Sequence, residues 1–193
     1  MNAASGSALN ALPAPFVAHG LGLTLRPWRA SDAEPLTAMA QDPLLQTWNP
    51  IERGAEGAEA WIAKRAVWDD HMSWALADDD DAPVGGISLW LFDWTNASAS
   101  IGYWTAPGQR RRGLASRGTR VAVAIAFRVT GIERVTLFHA LENAESCRVA
   151  ERAGFAYEGT LRRSWRYPDG ALHDEHLHAV LRSDAGVLDA LDG

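Results

Sequence analysis

An α/β domain built on one mixed sheet is the prediction from this sequence, and three observations carry it. Short runs with a period of two, such as Leu21, Leu23 and Leu25, alternate along the chain with amphipathic stretches of helical period. Near the middle, a strand-like segment (99–105), a basic glycine-containing loop, a long apolar helix (115–129) and a further strand-like run (135–141) follow one another. That order places two strands parallel in one sheet, whereas short polar turns elsewhere make hairpins. At 193 residues and 47% hydrophobic content, one compact unit can bury most of its apolar surface.

Taken in order, residues 1–16 are rich in Ala, Ser, Asn and Pro without period and read as a flexible tail, leaving 17–193 as a single domain. Residues 20–29 make the first strand, limited by Pro27. Ser31-Asp-Ala-Glu34 reads as a capping box for a first helix that stops before Pro43, and 46–50 is a loop. A second helix, about 55–70, carries Ala58, Trp61, Ile62 and Trp68 on a stripe broken at Arg65. Strands two (72–77) and three (84–92) flank the turn holding Asp78, Asp79, Asp80 and Asp81. Adjacent carboxylates at a hairpin tip read as a solvated, self-repelling turn, not a metal site. Strand four is 99–105, helix three 115–129 closed by Gly131, and strand five 135–141. Asn143 suits the N-cap of a fourth helix (144–153), with Gly154 just past its end. Strands six (157–163) and seven (173–181) are joined through Pro168-Asp169-Gly170, and 183–193 is a short acidic tail.

The most informative stretch is Gln109-Arg110-Arg111-Arg112-Gly113-Leu114-Ala115, placed between a strand and the start of a helix. Free N–H groups and partial positive charge at a helix N-terminus favour an anion, and three arginines add full charge. Gly113 permits close backbone approach. The pattern reads as a pyrophosphate cradle; the plain alternative is an exposed basic turn.

Arg110-x-x-Gly113-x-Ala115 matches the (Gln/Arg)-x-x-Gly-x-(Gly/Ala) signature of the GNAT superfamily of acetyl-CoA-dependent N-acetyltransferases. With Gly102-Tyr103-Trp104 before it, and Asn143, Ser146, Gly154-Phe155, Glu158-Gly159 and Asp169-Gly170 after it, the chain resembles the RimJ/RimL branch over roughly residues 21–181. The resemblance implies a GNAT fold: a mixed, mostly antiparallel seven-stranded sheet with about four flanking helices, splayed between strands four and five. It implies that the pantetheine arm of acetyl-CoA pairs with the strand around Tyr103, Trp104 and Thr105, and that a free N–H there stabilises the oxyanion. Backbone amides of Arg110, Arg111, Arg112, Gly113, Leu114 and Ala115 would hold the pyrophosphate. Asn143 would contact the pantetheine, and the Ser146 hydroxyl would donate to the departing thiolate, with Tyr103 the second catalytic candidate. Read without the family, Asn143 is a helix cap and Ser146 a first-turn residue.

The general base is open. Many family members carry a glutamate where this chain has Ser98-Ala99-Ser100, which leaves Glu142, His139, Asp93, Asp174 or a water chain. Trp48, Trp61 and Trp68 are candidates for the acceptor wall or, as readily, for the core. Cys147 offers a rival acetyl-cysteine route, but no histidine is adjacent in sequence, and direct attack in a ternary complex fits the resemblance better.

A net charge of -6 argues against general nucleic-acid binding. Cys147 is the single cysteine, no signal peptide is visible and no stretch approaches the ~18 apolar residues of a membrane span, so the expectation is a cytoplasmic protein with no membrane partner. The expected acceptor is a protein N-terminus or small-molecule amine, the co-substrate acetyl-CoA without a metal, and the assembly a homodimer. The alternative is a non-catalytic CoA sensor or partner-binding module on the same fold.

Overall fold

In the computed structural model, residues 12–184 and 186–191 are described. Leu21 and Gly22 take positive φ (51° and 67°) and turn the chain tightly inside the first predicted strand. That strand is therefore two, β1 (Ala18–Gly20) and β2 (Leu23–Arg26), paired antiparallel with Gly20 opposite Leu23. The others are β3 (Met72–Ala77), β4 (Pro83–Asp93), β5 (Ser98–Thr105), β6 (Arg134–Ala140), β7 (Ala156–Arg166) and β8 (Leu172–Leu181). Among the described residues they form one eight-stranded sheet, ordered β1-β2-β3-β4-β5-β6-β8-β7, in which β5 and β6 alone run parallel.

Five α-helices flank the sheet among the described residues: α1 (Ala33–Met39), α2 (Pro43–Trp48), α3 (Ala55–Arg65), α4 (Leu114–Val129) and α5 (Ala144–Arg152). Much of the loop expected at 46–50 is α2, started by the Asp42 side chain accepting from Leu45 N–H and by Pro43 at the first helical position. The Ser31 capping box does not form. Asp32 is buried against Arg26 in a bidentate pair (2.8 Å for both contacts) and accepts from the Arg29 N–H. A buried guanidinium must be paired, and that need outweighs an ordinary cap.

The core lies on both sheet faces. Beneath α4, Val121, Ile125 and Phe127 meet Trp74, Leu76, Ile87 and Ile101. Gly118 permits the close approach, because a Cβ there would lie 2.5 Å from Ile87 Cδ1. On the other face Trp28, Leu36, Ile51, Ile62 and Trp104 pack under α1 and α3. Trp68 belongs to the first cluster, edge-on to Trp74 and Phe16, so it is core and not an acceptor wall.

Both expected tails are shorter than the composition suggested. Phe16 packs on Trp68 and its carbonyl accepts from the Trp74 indole, so the packed unit begins before residue 17; residues 1–11 lie outside the described residues. At the other end, a 3-10 turn at Leu188–Leu191 packs on α4 and buries Ala190 against Gly20.

The predicted strands four and five are β5 and β6, and they do diverge. They pair only at Ser98↔Arg134, Ala99↔Val135 and Ser100↔Thr136. Beyond that, β5 stays on β4 as far as Thr105, while β6 stays on β8 as far as Ala140. The sheet therefore opens between them from Ile101 onward.

Candidate active site

The loop before α4 is shaped by its backbone. Arg111 and Gly113 take positive φ (62° and 74°), a left-handed geometry that costs a non-glycine residue about 1 kcal/mol or more and that, alternated with ordinary residues, forms a concave nest of N–H groups. Gln109 N–H is paired to Ala106 and Arg117 N–H to Gly113. Between them, no backbone hydrogen bond from the N–H groups of Arg112 to Ser116 is found among the described residues. The side chains are largely occupied: Arg110 pairs with Asp42, and Arg112 donates to the Gln109 amide oxygen. The Arg110 guanidinium in turn holds the Asp42 carboxyl below the usual carboxylate range.

Period-two alternation decides which atoms face the gap in the sheet. Ala106 N–H donates to Val84 of β4, whereas the Ala97 carbonyl accepts from Glu133 just before β6. The main-chain groups of Ile101, Tyr103 and Thr105 therefore point into the opening, and those of Gly102 and Trp104 toward β4. Trp104, expected to bind cofactor beside Tyr103, has its main chain committed to pairing with Gly86. Its indole forms a three-ring cluster with Trp28 and Trp61, and the residue lines the cleft.

Across the gap stands α5. Asn143 caps it, its side-chain oxygen accepting from Ser146 N–H at 3.2 Å. The Tyr103 hydroxyl spans the opening and donates to Ser146, 3.1 Å from Oγ and 3.3 Å from the carbonyl. Burial pushes the Tyr103 phenol well above its usual value, so it stays protonated. Because Ser146 Oγ accepts from Tyr103, its own proton is free to point into the cleft.

That cleft holds about 620 Å³ and runs from Asn143 and Ser146, past Tyr103 and Trp104, to an aromatic far end. Trp48, Trp61, Trp90, Trp165 and Tyr167 wall this far end, drawn from α2, α3, β4, β7 and the turn after β7. Arg65 and Glu175 are the two charged residues among its lining, with His139 the titratable neighbour. Arg65 stacks on the Trp61 ring (3.8 Å), and burial pulls its guanidinium down to about 10. Glu175, 6% exposed, accepts from Ser164 Oγ (2.8 Å) and Tyr167 OH (2.9 Å); burial and this carboxylate together raise the Tyr167 phenol.

A family model described as "Acetyltransferase (GNAT) domain" matches residues 22–156, well over half of the chain. The chain belongs to the GNAT acetyltransferase family. Among solved GNAT-like structures, RimJ of Mycobacterium smegmatis in complex with CoA-disulfide superposes with a TM-score of 0.81 at 22% identity, over 92% of this chain and 94% of that one. A GCN5-related N-acetyltransferase from Brucella melitensis gives 0.78 at 26% identity, covering 94% and 87%. The protein YdaF of Bacillus subtilis (strain 168), provisionally named a ribosomal N-acetyltransferase, is 33% identical over 105 residues, 54% of this chain and 57% of its own length. The chain thus spans little more than half the length of that curated relative.

Within this GNAT site the predicted groups divide in two. Tyr103, Asn143 and Ser146 converge on one end of the opening, while the loop from Arg110 to Ala115 stands at the start of α4, outside the cleft lining. Of the base candidates, His139 reaches the cleft, but burial depresses it and it stacks on His178. Asp93 is held in a turn by Asn96, Glu142 pairs with His173, and Asp174 accepts from Arg163 N–H; none lines the cleft. The sequence reading missed Glu175, the immediate neighbour of Asp174. In a strand, adjacent side chains take opposite faces, and strand periodicity alone does not say which face meets the substrate. No helix among the described residues is long and apolar enough to cross a membrane.

Proposed function

We propose that this protein transfers the acetyl group of acetyl-CoA to a primary amine, by direct attack in a ternary complex. The observation that carries the reading is the opening between β5 and β6, with unpaired main-chain groups on one side and Ser146 on the other. The amides of Arg112 to Ser116 bind the pyrophosphate, and Gly113 lets the anion approach closely. The pantetheine amides pair with Tyr103 and Thr105 as an added strand, with Asn143 alongside. A free N–H on β5 receives the developing oxyanion.

Glu175 takes the proton that the amine must lose. Its carboxylate is buried, fixed by two hydroxyl donors, and faces the same cleft as the reacting end. Ser146 Oγ–H donates to the departing thiolate, oriented by the protonated Tyr103 behind it. The aromatic far end suits an amine carried on an apolar or peptide group, either a protein N-terminus or a small molecule, and the provisional name of YdaF fits the first. The complex of the RimJ neighbour with CoA-disulfide supports the choice of co-substrate. A lone free thiol suits a reducing, cytoplasmic setting. A homodimer would cover the exposed edge strand β7, where Tyr157 and Trp165 stand in solvent.

The test is release of free CoA thiol from acetyl-CoA across a panel of N-terminal peptides and small amines. Turnover with at least one amine is expected. Tight CoA binding without turnover on any amine would replace the enzyme by a CoA-binding module.

A further inference from the structure

Behind Ser146, on the face of the sheet covered by α5, three histidines and the single cysteine meet. His139 comes from β6, His176 and His178 from β8, and Cys147 from α5. Each offers one ligand atom, and the four atoms lie within 4.8 Å of one another. Leu137 pairs with His178 and His139 with His176 in the β6–β8 register, so period-two alternation puts all three imidazoles on one face.

We propose that this cluster is a zinc site, a His3Cys tetrahedron that pins α5 to the sheet. Zinc–nitrogen bonds of about 2.0–2.1 Å at tetrahedral angles hold two ligand nitrogens about 3.3 Å apart, and a zinc–sulfur bond of about 2.3 Å puts sulfur about 3.6 Å from a nitrogen. His139 Nε2 and His178 Nε2 are 3.3 Å apart, and Cys147 Sγ is 4.0 Å from His178 Nε2. His139 Nδ1 lies 2.9 Å from the Ala140 carbonyl, the second hydrogen bond that aims a ligating imidazole and leaves Nε2 with its lone pair.

The apoprotein pays for this arrangement in unmet polar groups. His139 and His178 are 4% and 1% exposed, and burial disfavours the charged form of both. Nδ1 of His176 and Nδ1 of His178 are buried without a hydrogen-bond partner. His139 Nε2 and His178 Nε2 share one hydrogen bond, and zinc on His178 Nε2 would leave its Nδ1 unpaired, so the unmet atom that a metal could take up is Nδ1 of His176. Burial and Glu151, 3.8 Å from Sγ, raise the Cys147 thiol. Metal binding therefore displaces the thiol proton to solvent, and uptake falls at acid pH. The site lies one residue from Ser146 on the same helix, and its ligand His139 also lines the cleft, so the ion would set the placement of that hydroxyl from behind.

Untagged full-length protein, stripped by a chelator, is titrated with zinc ion and separately with cobalt(II). One zinc per chain is expected, with a Tm rise of about 5–10 °C at hundredfold excess over Kd. Cobalt should give the intense visible bands of a tetrahedral site and a thiolate charge-transfer band in the near ultraviolet. Cys147→Ser, a conservative change at a half-buried position, should abolish the thiolate band and weaken zinc at least about tenfold. His178→Gln should weaken zinc to a similar degree while any bound cobalt keeps the thiolate band; if it does not fold, the Cys147→Ser arm decides. A folded protein with no Tm response and no tetrahedral cobalt spectrum overturns the proposal. So does a cobalt spectrum indifferent to Cys147→Ser, which would place the ion elsewhere, for example at Asp69, Asp70 and His71. Neither readout depends on acetyl transfer, so the site stands or falls apart from the proposed activity.

Discussion

At one end of the molecule, the loop before α4 offers main-chain N–H groups from a single run of residues, with its arginine side chains already paired to Asp42 and Gln109. At the far end of the cleft, side chains from α2, α3, β4, β7 and β8 line one pocket, and Glu175 in it is held by Ser164 and Tyr167. The first site is a conformation, and the second is an assembly. Backbone recognition tolerates changes of side chain as long as the turn survives, whereas the aromatic end changes its chemistry with any one residue. A family can therefore keep one donor grip and serve many acceptors.

Five substitutions would break or sharpen this contrast. Glu175→Gln keeps the shape and removes the proton acceptor. We expect kcat to fall about 10²- to 10³-fold with the KM for acetyl-CoA unchanged, measured by thiol release over a pH series. An unaffected kcat would hand the role to water. Ser146→Ala should lower kcat about tenfold to a hundredfold without weakening CoA binding, since only the donor to the leaving thiolate is lost. Gly113→Ala puts a Cβ on a backbone at φ 74° with no contact closer than 3.9 Å, to Ser116 Oγ, so the cost is conformational. Strain of about 1–2 kcal/mol should raise the Kd for CoA roughly tenfold by calorimetry. Arg112→Ala in the same assay, if it proved the more damaging, would reverse the view that the backbone dominates.

The smallest effect concerns the strap between the two ends. Asp42 caps α2 and pairs with Arg110, which holds its carboxyl below the usual value. A depressed carboxyl contributes stability above its unfolded pKa of about 3.9 and loses it as pH falls through the lower folded value. Asn at this position still caps the helix, so Asp42→Asn isolates the ion pair. With both partners partly exposed, about 1 kcal/mol or less is at stake, a Tm drop of at most about 2–4 °C at neutral pH. The difference from the parent protein should vanish in strong acid.

What the sequence by itself determined was local. Gly113 after three arginines, the apolar run of α4 and Asn143 at a helix start each declare a conformation within a few residues, because turns, caps and helical periods are short-range physics. The divergence of β5 from β6 was implied by resemblance and appears in the register, which ends at Ser100 and Thr136. Tertiary structure alone decided the rest. Trp68 went to the core and Trp48 to the cleft, the capping box expected at Ser31 gave way to Asp32 bonding Arg29 N–H and pairing with Arg26, and Glu175 rather than Asp174 faced the cleft. In each case the outcome depends on which face of an element meets a partner far away in the chain. Periodicity marks two faces, and only packing says what each of them touches.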